Sequence, residues 1–285
     1  MVFAIEPNLT RANAYEVTRE VCHELDKLGA KYLMTKENKE NFSDTGASFF
    51  NKKEIFSKAD IFIAIGGDGT IIRCAKEALQ FNKPVLGINA GRLAFMAGLE
   101  RHEIHLLKNL LTGEYCVEKR MLLKTVLTDG EKLFASDYCV NDTVVTRPGR
   151  AKLLEIKVER HGKRLIKYYA DGLIISTPTG STAYSLSAGG PIIDPELESI
   201  MLTPICAHSL FARPFVLNSD SEICIKVPEE EEVIYFCDGG EAQRITANSH
   251  IMIKKSELSA DFIRIKPDTF VDVLNSKLTH WNGNF

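Results

Sequence analysis

The hydrophobic positions of this chain follow two different periods. Up to about residue 114, short apolar runs alternate with amphipathic stretches of helical spacing, as in an α/β fold with buried parallel strands. This pattern predicts strands at 2–5, 31–34, 59–65 and 83–88, and helices at 10–28, 70–79 and 103–111. Residues 36–53 are polar and aperiodic and predict a surface excursion. The fold is Rossmann-like in outline only, because residues 6–8 lack the dinucleotide glycine fingerprint.

From residue 115 the apolar and polar positions alternate, as in strands with one buried face. Short strands are predicted at 122–127, 133–140, 153–160, 164–169, 174–177, 215–217, 223–227, 233–238, 250–254 and 262–265. Turn pairs such as Asp-Gly separate several of them, and residues 229–232 predict a solvated hairpin tip. A helical pattern returns at 269–278. We therefore predict a Rossmann-like open-sheet α/β domain over 1–114 and a β-rich, sandwich-like domain over 115–266.

Composition narrows the class of protein. A chain of 285 residues with 45% hydrophobic and 26% charged residues is typical of a soluble globular protein of two domains. Its net charge of −3, without a basic stripe or tail, argues against nucleic acid or a membrane surface as the main partner. The seven cysteines are scattered and never spaced C-x-x-C, the usage of buried thiols in a reducing compartment. With no signal pattern and no apolar run of membrane-spanning length, we expect a cytoplasmic protein.

A glycine-rich loop follows the apolar run 59–65. It reads Gly66-Gly67-Asp68-Gly69-Thr70, and three glycines around one carboxylate allow a sharp turn and a close approach of phosphates. The N-terminus of the next helix would face the same place. No Lys-Ser/Thr follows at Walker spacing, so a P-loop is excluded.

A second polar stretch runs over residues 171–191. Its strand breaks at Pro178 into a Pro-Thr-Gly-Ser-Thr turn, which we expect to leave backbone N–H groups and hydroxyls free for a phosphate-bearing ligand. A short helix is predicted at 182–187, with its positive end towards that ligand.

Together these two stretches resemble the NAD kinase family, enzymes that phosphorylate the 2′-hydroxyl of the adenosine ribose of NAD. Further matches are GINAGRLAF at 87–95, Asn141-Asp142, PICAHSLFARP at 204–214 and CDGG at 237–240. GGDGT alone is shared with lipid kinases and phosphofructokinases, whereas the joint pattern, over about 62–278, is specific.

Two other functions stay open on the sequence. A lipid kinase of the diacylglycerol or sphingosine type shares GGDGT but lacks the 171–191 stretch in this form. A non-catalytic dinucleotide sensor is disfavoured by the intact Asp68 and its three glycines.

The resemblance implies that Asp68 is the catalytic residue, the base that takes the hydroxyl proton; its alternative role is to cap the following helix. Arg73, one turn on, either reaches a phosphate or lies on the surface. The NAD-binding set implied by the match is Asp68, Gly69, Arg73, Phe95, Asn141, Asp142, Lys152, Asp171, Thr179, Thr182, Ala183, Tyr184 and Ser187. The set implied for ATP and its phosphates is Gly66, Gly67, Gly69, Thr70 and Asp238.

Within the NAD set the resemblance places the amide of Asn141 on adenine and the carboxylate of Asp142 on ribose hydroxyls. An Asx turn between strands is the alternative. Asp171 is expected on the nicotinamide side, and Tyr184 provides a flat face. Three positions depart from the family pattern: Asp142 replaces the usual glutamate, Ala94 a glycine, and Gly239-Gly240 residues with side chains.

The remaining expectations concern cofactors and assembly. No all-protein metal cage is visible, so magnesium or another divalent metal is expected to come with ATP. The resemblance implies a homo-oligomer, a dimer or a tetramer, formed through the β-rich domains. It also implies that residues 267–285 pack back on the first domain.

Overall fold

The structure, a computed structural model, describes residues 1–91, 94–149, 153–209, 212–228, 232–245 and 248–282, with side chains up to 277. Two compact units are present, Met1–Lys119 with Ala260–Phe285, and Arg120–Ser259. The sequence had placed the corresponding limits after residues 114 and 266.

The first unit is an α/β fold on parallel strands. Its strands are β1 (Val2–Pro7), β2 (Lys31–Thr35), β3 (Ser48–Phe50), β4 (Ile61–Gly66) and β5 (Val85–Asn89). They are parallel and ordered β5-β4-β1-β2-β3, and β4 is buried along its whole length, as its unbroken apolar run predicts. Its helices are α1 (Ala14–Lys27), α2 (Lys39–Phe42), α3 (Lys52–Lys58), α4 (Asp68–Leu79), α5 (Lys108–Thr112) and α7 (Phe270–Asn282).

Three predictions in this unit need correction. The helix expected from residue 10 begins at Ala14, because Thr10 is held in a turn by Asn8 Oδ1. The excursion at 36–53 contains α2 and β3, elements too short to show a period, and β3 pairs with β2. The helix predicted at 103–111 is a 3-10 helix (Arg101–Leu107) followed by α5, which ends at Gly113 with a left-handed φ of 77°.

The second unit is a two-layered β structure. Its strands are β6 (Cys116–Thr128), β7 (Leu133–Cys139), β8 (Asp142–Thr146), β9 (Leu154–Arg160), β10 (Lys163–Ala170), β11 (Gly172–Ser176), β12 (Ser199–Ile205), β13 (Phe215–Asn218), β14 (Ile223–Lys226), β15 (Val233–Cys237), β16 (Gln243–Ile245) and β17 (His250–Arg264). Strands β6 and β17 run past the limits of the unit. One antiparallel sheet has the order β13-β12-β11-β8-β15-β16, and β10, β9, β14 and β17 pair in the other. A 3-10 helix (Thr179–Thr182) and α6 (Tyr184–Ser187) follow β11.

One apolar core joins the two layers of this unit. It combines alternate residues of β9 and β14 with alternate residues of β11 and β12, for example Ile156, Ile225, Ile175 and Leu202. The predicted combination of an α/β domain with a β-rich sandwich is therefore confirmed.

Several strand predictions in this unit are wrong in detail. The sequence missed β12 and β16, and it gave no bounds for the strand that follows Asn141, which is β8. Strand β12 is central and buried at nearly every position, so it shows no alternation. The strands predicted at 250–254 and 262–265 are one strand, β17. Most of the hairpin tip predicted at 229–232 lies outside the described residues.

All seven cysteines are free thiols, but two of them, Cys116 and Cys206, are exposed, which corrects the expectation of buried thiols. In the described parts of the chain, no helix combines the length and the apolar character needed to span a bilayer.

Candidate active site

Asp68 is the first residue of α4, and its carboxylate turns away from its own helix. The residue before α4 is Gly67, and the Asp68 side chain forms no capping hydrogen bond, so the capping alternative is wrong. Instead the backbone amides of Phe95 and Met96 donate to its two oxygens, at 3.1 Å to Oδ2 and 2.8 Å to Oδ1. The carboxylate is therefore oriented from two sides by a loop that lies 27 to 28 residues away in the sequence.

Burial raises the pKa of the Asp68 carboxyl, and the two amides together with the charges of Lys277 and Arg264 oppose that shift. A carboxylate whose desolvation favours the neutral form is a better proton acceptor than an exposed one. Asp68 thus combines a defined orientation with a raised basicity.

The glycines around Asp68 matter because they lack a side chain, not because they adopt unusual backbone angles. Gly67 has an extended backbone, φ −100°, and neither Gly66 nor Gly69 is among the residues of positive φ. The chain bends at Gly67 between β4 and α4, but without a backbone angle that only glycine favours. A Cβ at Gly66 would meet Thr70 Oγ1 at 2.5 Å, whereas no described atom lies within 4 Å of a Cβ at Gly67 or Gly69. The latter two glycines leave backbone open to an approaching phosphate.

Thr70 and Arg73 lie on α4 beside this loop. Thr70 is buried, and its hydroxyl accepts a hydrogen bond from Asn8 Nδ2 at 3.0 Å, which fastens the end of β1 to the loop. Arg73 is exposed one turn further on. Its charge lowers the pKa of Glu6, which burial raises to about 7. Asn8 and Glu6 were not predicted, because a β1 end without glycines carries no motif.

In the second unit, Asp238 organises the Asn141-Asp142 segment. Its carboxylate accepts three backbone hydrogen bonds, from Val140 (2.9 Å), Asn141 (2.7 Å) and Asp142 (3.1 Å). Asp238 has a left-handed backbone, φ 51°, and its own amide donates to Asp142 O at 2.9 Å. An Asx turn is therefore not what places the pair: Asp142 begins β8, and the cap comes from a residue 96 to 98 positions away.

Asp142 is almost completely buried, with 5% exposure. Burial, and then the nearby negative charge of Asp238, raise the pKa of its carboxyl to about 7. Near neutral pH this group changes between a hydrogen-bond donor and an acceptor-only carboxylate. The side chain of Asp142, which is shorter than the usual glutamate, can thus accept hydrogen bonds from hydroxyls or donate one to a carbonyl.

The turn after β11 uses most of its hydroxyls internally, contrary to the expectation that they are free. Thr177 Oγ1 donates to Val140 O at 2.6 Å and accepts from Gly180 N at 3.0 Å. Ser181 bonds both the amide and the carbonyl of Ile193. Buried hydroxyls need such partners, so the turn is a rigid frame.

Gly180 sits against this frame. A Cβ there would collide with the carbonyl of Asn141, so the absence of a side chain lets the turn pack on the Asn141-Asp142 segment. Thr177 N donates to the same carbonyl at 2.8 Å. The two predicted NAD-binding stretches of this unit are thereby brought together.

The predicted residues of the turn fall into two groups. Thr179 is buried and accepts from Arg120 Nη1 at 3.3 Å. Tyr184 and Ser187 are exposed on α6, Thr182 and Ala183 are partly exposed, and the short helix predicted at 182–187 is only α6. Tyr184 is 44% exposed, so its ring is not part of the core.

Asp171 forms an ion pair that the sequence did not reveal. Arg147 Nη2 donates to Asp171 Oδ1 at 2.6 Å, and the Arg147 side chain is only 13% exposed. Its Nη1 is buried and has no hydrogen-bond partner within the described part of the chain. Arg147 lies just past β8, where no motif marks it. Lys152, the other predicted cation here, lies outside the described residues.

Comparison with known proteins decides the family. A model of the ATP-NAD kinase N-terminal domain matches residues 3–115, and one of the ATP-NAD kinase C-terminal domain matches residues 140–265. The chain belongs to the NAD kinase family. The lipid kinases that share the GGDGT loop are thereby set aside.

Curated NAD kinases align along almost the whole chain. An NAD kinase of Caldanaerobacter subterraneus subsp. tengcongensis is 37% identical over 277 residues, 96% of this chain and 97% of that protein. An NAD kinase of Acetivibrio thermocellus is 34% identical over 277 residues, 96% of either chain. The similarity thus includes both units.

Solved NAD kinase folds superpose on the structure. Yeast NADH kinase complexed with NADH gives a TM-score of 0.86 at 23% identity, over 100% of this chain and 89% of that one. An NAD kinase from Archaeoglobus fulgidus in complex with ATP gives 0.74 at 23% identity, over 98% and 99%. At this identity the two structures show the shared fold.

Proposed function

We propose that this chain transfers the γ-phosphoryl group of ATP to the 2′-hydroxyl of the adenosine ribose of NAD, with Asp68 as the general base. The observation that carries the proposal is the carboxylate of Asp68, oriented by the Phe95 and Met96 amides in a glycine loop of an NAD kinase family member. The hydroxyl proton passes to this carboxylate as the ribose oxygen bonds to the γ-phosphorus. The bond to the β–γ bridging oxygen breaks, and ADP leaves.

The loop residues Gly66, Gly67, Gly69 and Thr70 are proposed to receive the phosphates of ATP. Support comes from the open space over Gly67 and Gly69 and from the start of α4, a twelve-residue helix. The N-terminus of a helix favours an anion. Arg73, exposed one turn further along α4, adds a positive charge.

Residues of the second unit are proposed to hold NAD. Asn141 and Asp142 would contact adenine and the ribose hydroxyls, in a segment that Asp238 fixes through three amides. Asp238 would thus support the NAD site, and its contact with ATP stays a prediction. The side chains proposed to touch the dinucleotide directly are Phe95, Asp171, Thr182, Ala183, Tyr184 and Ser187.

A divalent metal is proposed to arrive with ATP. In the residues described, no group of three or more His, Cys, Asp or Glu side chains could hold a metal ion. Both oxygens of Asp68 already accept amide hydrogen bonds. The donor set thus fits magnesium carried by ATP better than a resident ion, and the metal supplies neutralisation of phosphate charge.

Location and assembly are also proposals. Seven free thiols agree with a reducing compartment such as the cytoplasm. Apolar side chains of the second unit lie exposed, among them Leu133 (61%) and Val216 (53%), on strands suited to contact another copy in a homo-oligomer, a dimer or tetramer. Light scattering coupled to gel filtration measures the assembly, and a monomer at micromolar concentration contradicts it.

The test of the function is end-point formation of NADP from NAD and Mg-ATP, read with an NADP-specific dehydrogenase. We expect product with the wild-type protein, none without ATP, and none with Asp68→Asn in the same time. Asp44→Asn, which changes an exposed ion pair with Arg19, is the matched control and should behave as wild type. If the wild-type protein binds NAD but makes no product with any nucleotide donor, the chain is a dinucleotide sensor.

A further inference from the structure

The loop that presents two amides to Asp68 is tied back to β5 at its far end. Asn89 N donates to Leu99 O, and Gly98 N donates to Gly87 O, each at 2.9 Å. The position of the amides therefore depends on how Gly98 and Leu99 are held against the strand.

A chain of side-chain hydrogen bonds starts from this loop and ends on α7. Gly91 N donates to Asn89 Oδ1 at 2.9 Å, and Asn89 Nδ2 donates to Glu100 Oε2 at 2.8 Å. Lys277 Nζ then donates to Glu100 Oε1 at 2.5 Å. Asn89 uses both ends of its amide and Glu100 uses both carboxylate oxygens.

The side chains that form these hydrogen bonds are less exposed than those of a surface ion pair. The side chain of Lys277 is 13% exposed and that of Glu100 29%, while Asn89 as a whole residue is 3% exposed. Ion pairs gain strength when water is partly excluded. Glu100 also caps the 3-10 helix (Arg101–Leu107), which fixes its backbone.

Arg264, at the end of β17, holds the same loop from another side. Its Nη1 donates to Ala97 O at 2.9 Å, and its Nε pairs with Glu118 at 2.9 Å. Arg264 and Lys277 are also the two cations whose charge lowers the pKa of Asp68. The charged groups that face Asp68 from other elements thus come from β17 and α7.

We propose that Lys277, Glu100 and Asn89 are positioning residues of the kinase reaction, a hydrogen-bonded relay that ties α7 to the loop whose amides orient Asp68. This inference rests on the proposed role of Asp68 as the base. Lys277 acts in two ways, because it fixes the loop through Glu100 and its positive charge favours the ionised form of Asp68.

The test compares four variants in the full-length protein: Lys277→Met, Lys277→Arg, Glu100→Gln and the double variant Lys277→Met/Glu100→Gln. The matched control is Lys266→Met, since Lys266 pairs with Glu103 and Asp268, each at 3.0 Å, and lines the same cavity of about 490 Å³ as Lys277. For each protein we would measure kcat and the KM for NAD, the pH profile of kcat/KM, and the melting temperature.

We expect Lys277→Met to lower kcat roughly tenfold, with a smaller change in the KM for NAD, because a misplaced base slows chemistry more than binding. The acid limb of kcat/KM should move to higher pH, since a charge that lowers the pKa of the base is lost. Lys277→Arg should recover most of both, and Lys266→Met should match wild type. The loss of kcat in the double variant should be smaller than the product of the two single losses, because both changes cut the same relay.

Wild-type kcat and an unmoved pH profile for Lys277→Met, with Asp68→Asn inactive, would overturn the relay and leave the proposed function standing. Normal turnover of Asp68→Asn would overturn both. If Lys277→Met melts early, the pH profiles of the other two single variants decide. Lys277→Arg keeps the relay and should keep the wild-type profile, whereas Glu100→Gln cuts the relay and should change it.

Discussion

Asp238 offers a test of how one carboxylate shapes a binding segment. The substitution is Asp238→Asn, since asparagine tolerates the left-handed backbone, φ 51°, and the change then reports hydrogen bonds rather than strain. Oδ2 accepts from Val140 and Oδ1 from Asn141 and Asp142. The amide side chain keeps only one acceptor oxygen, so at least one backbone N–H loses its partner and the others lose a charged one.

The magnitude follows from these bonds. A hydrogen bond to a charged group contributes about 1.5 to 3 kcal/mol, and an unsatisfied buried donor costs about 1 to 3 kcal/mol. Loss of one bond and weakening of two therefore predicts a destabilisation of about 2 to 4 kcal/mol. A smaller gain offsets part of it, because the Asp238 charge that raises the pKa of Asp142 is removed.

Urea unfolding at pH 7.5 measures this change, with Asp220→Asn as the control. Asp220 lies in the same unit, its side chain is 73% exposed, and its ion pair with Arg160 is 3.8 Å long, so its loss should cost less than about 0.5 kcal/mol. We also expect the KM for NAD to rise in Asp238→Asn, because Asn141 and Asp142 lose their support. A stability within about 0.5 kcal/mol of wild type would mean that Asp238 does not hold these three amides in the folded protein.

Two glycines and one carboxyl give further predictions. Gly180→Ala should lower the melting temperature by several degrees, because the new Cβ would meet the Asn141 backbone. Gly67→Ala should leave the melting temperature unchanged and raise the KM for ATP. Equal melting temperatures for the two variants would contradict the packing of Gly180 against Asn141. The pKa of Asp142 is about 7 in the folded state, above its unfolded value of 3.8. Between these values the folded state binds more protons than the unfolded state, so the stability of the wild type falls as pH rises from about 4 to 7. Asp142→Asn should therefore be more stable than wild type above pH 7, with the difference shrinking towards pH 4 in melting curves. The reverse trend would mean that Asp142 is ionised in the fold.

The sequence predicts this site best where one stretch contains both the strand and the ligand loop. The buried strand β4 and its glycine loop are adjacent, so the apolar run 59–65 and the glycines predicted Asp68 at a strand end. What holds Asp68 could not be predicted, because the amides of Phe95 and Met96 come from a separate loop. The same limit applies to Asp238, whose partners lie 96 to 98 residues away.

Local composition also gave wrong predictions where burial determines which partners a polar group binds. The hydroxyls of the 178–182 turn were expected to be free, but the fold buries Thr179 and Ser181 and pairs them with the protein. A buried hydroxyl without a partner is costly, so polar residues in a packed turn are more often structural than ligand-binding. Arg147 shows the opposite case, since a single arginine after a short strand gives no motif and yet pairs with Asp171.

The central claim is that Asp68 acts in the chemical step and not in binding. The most direct measurement is the single-turnover rate of NADP formation with enzyme in excess over NAD, for wild type and Asp68→Asn, beside calorimetric binding of NAD to both. We expect a rate at least about 100-fold lower in the variant, with NAD affinity nearly unchanged. An unchanged rate, or a loss explained entirely by weaker NAD binding, would contradict it.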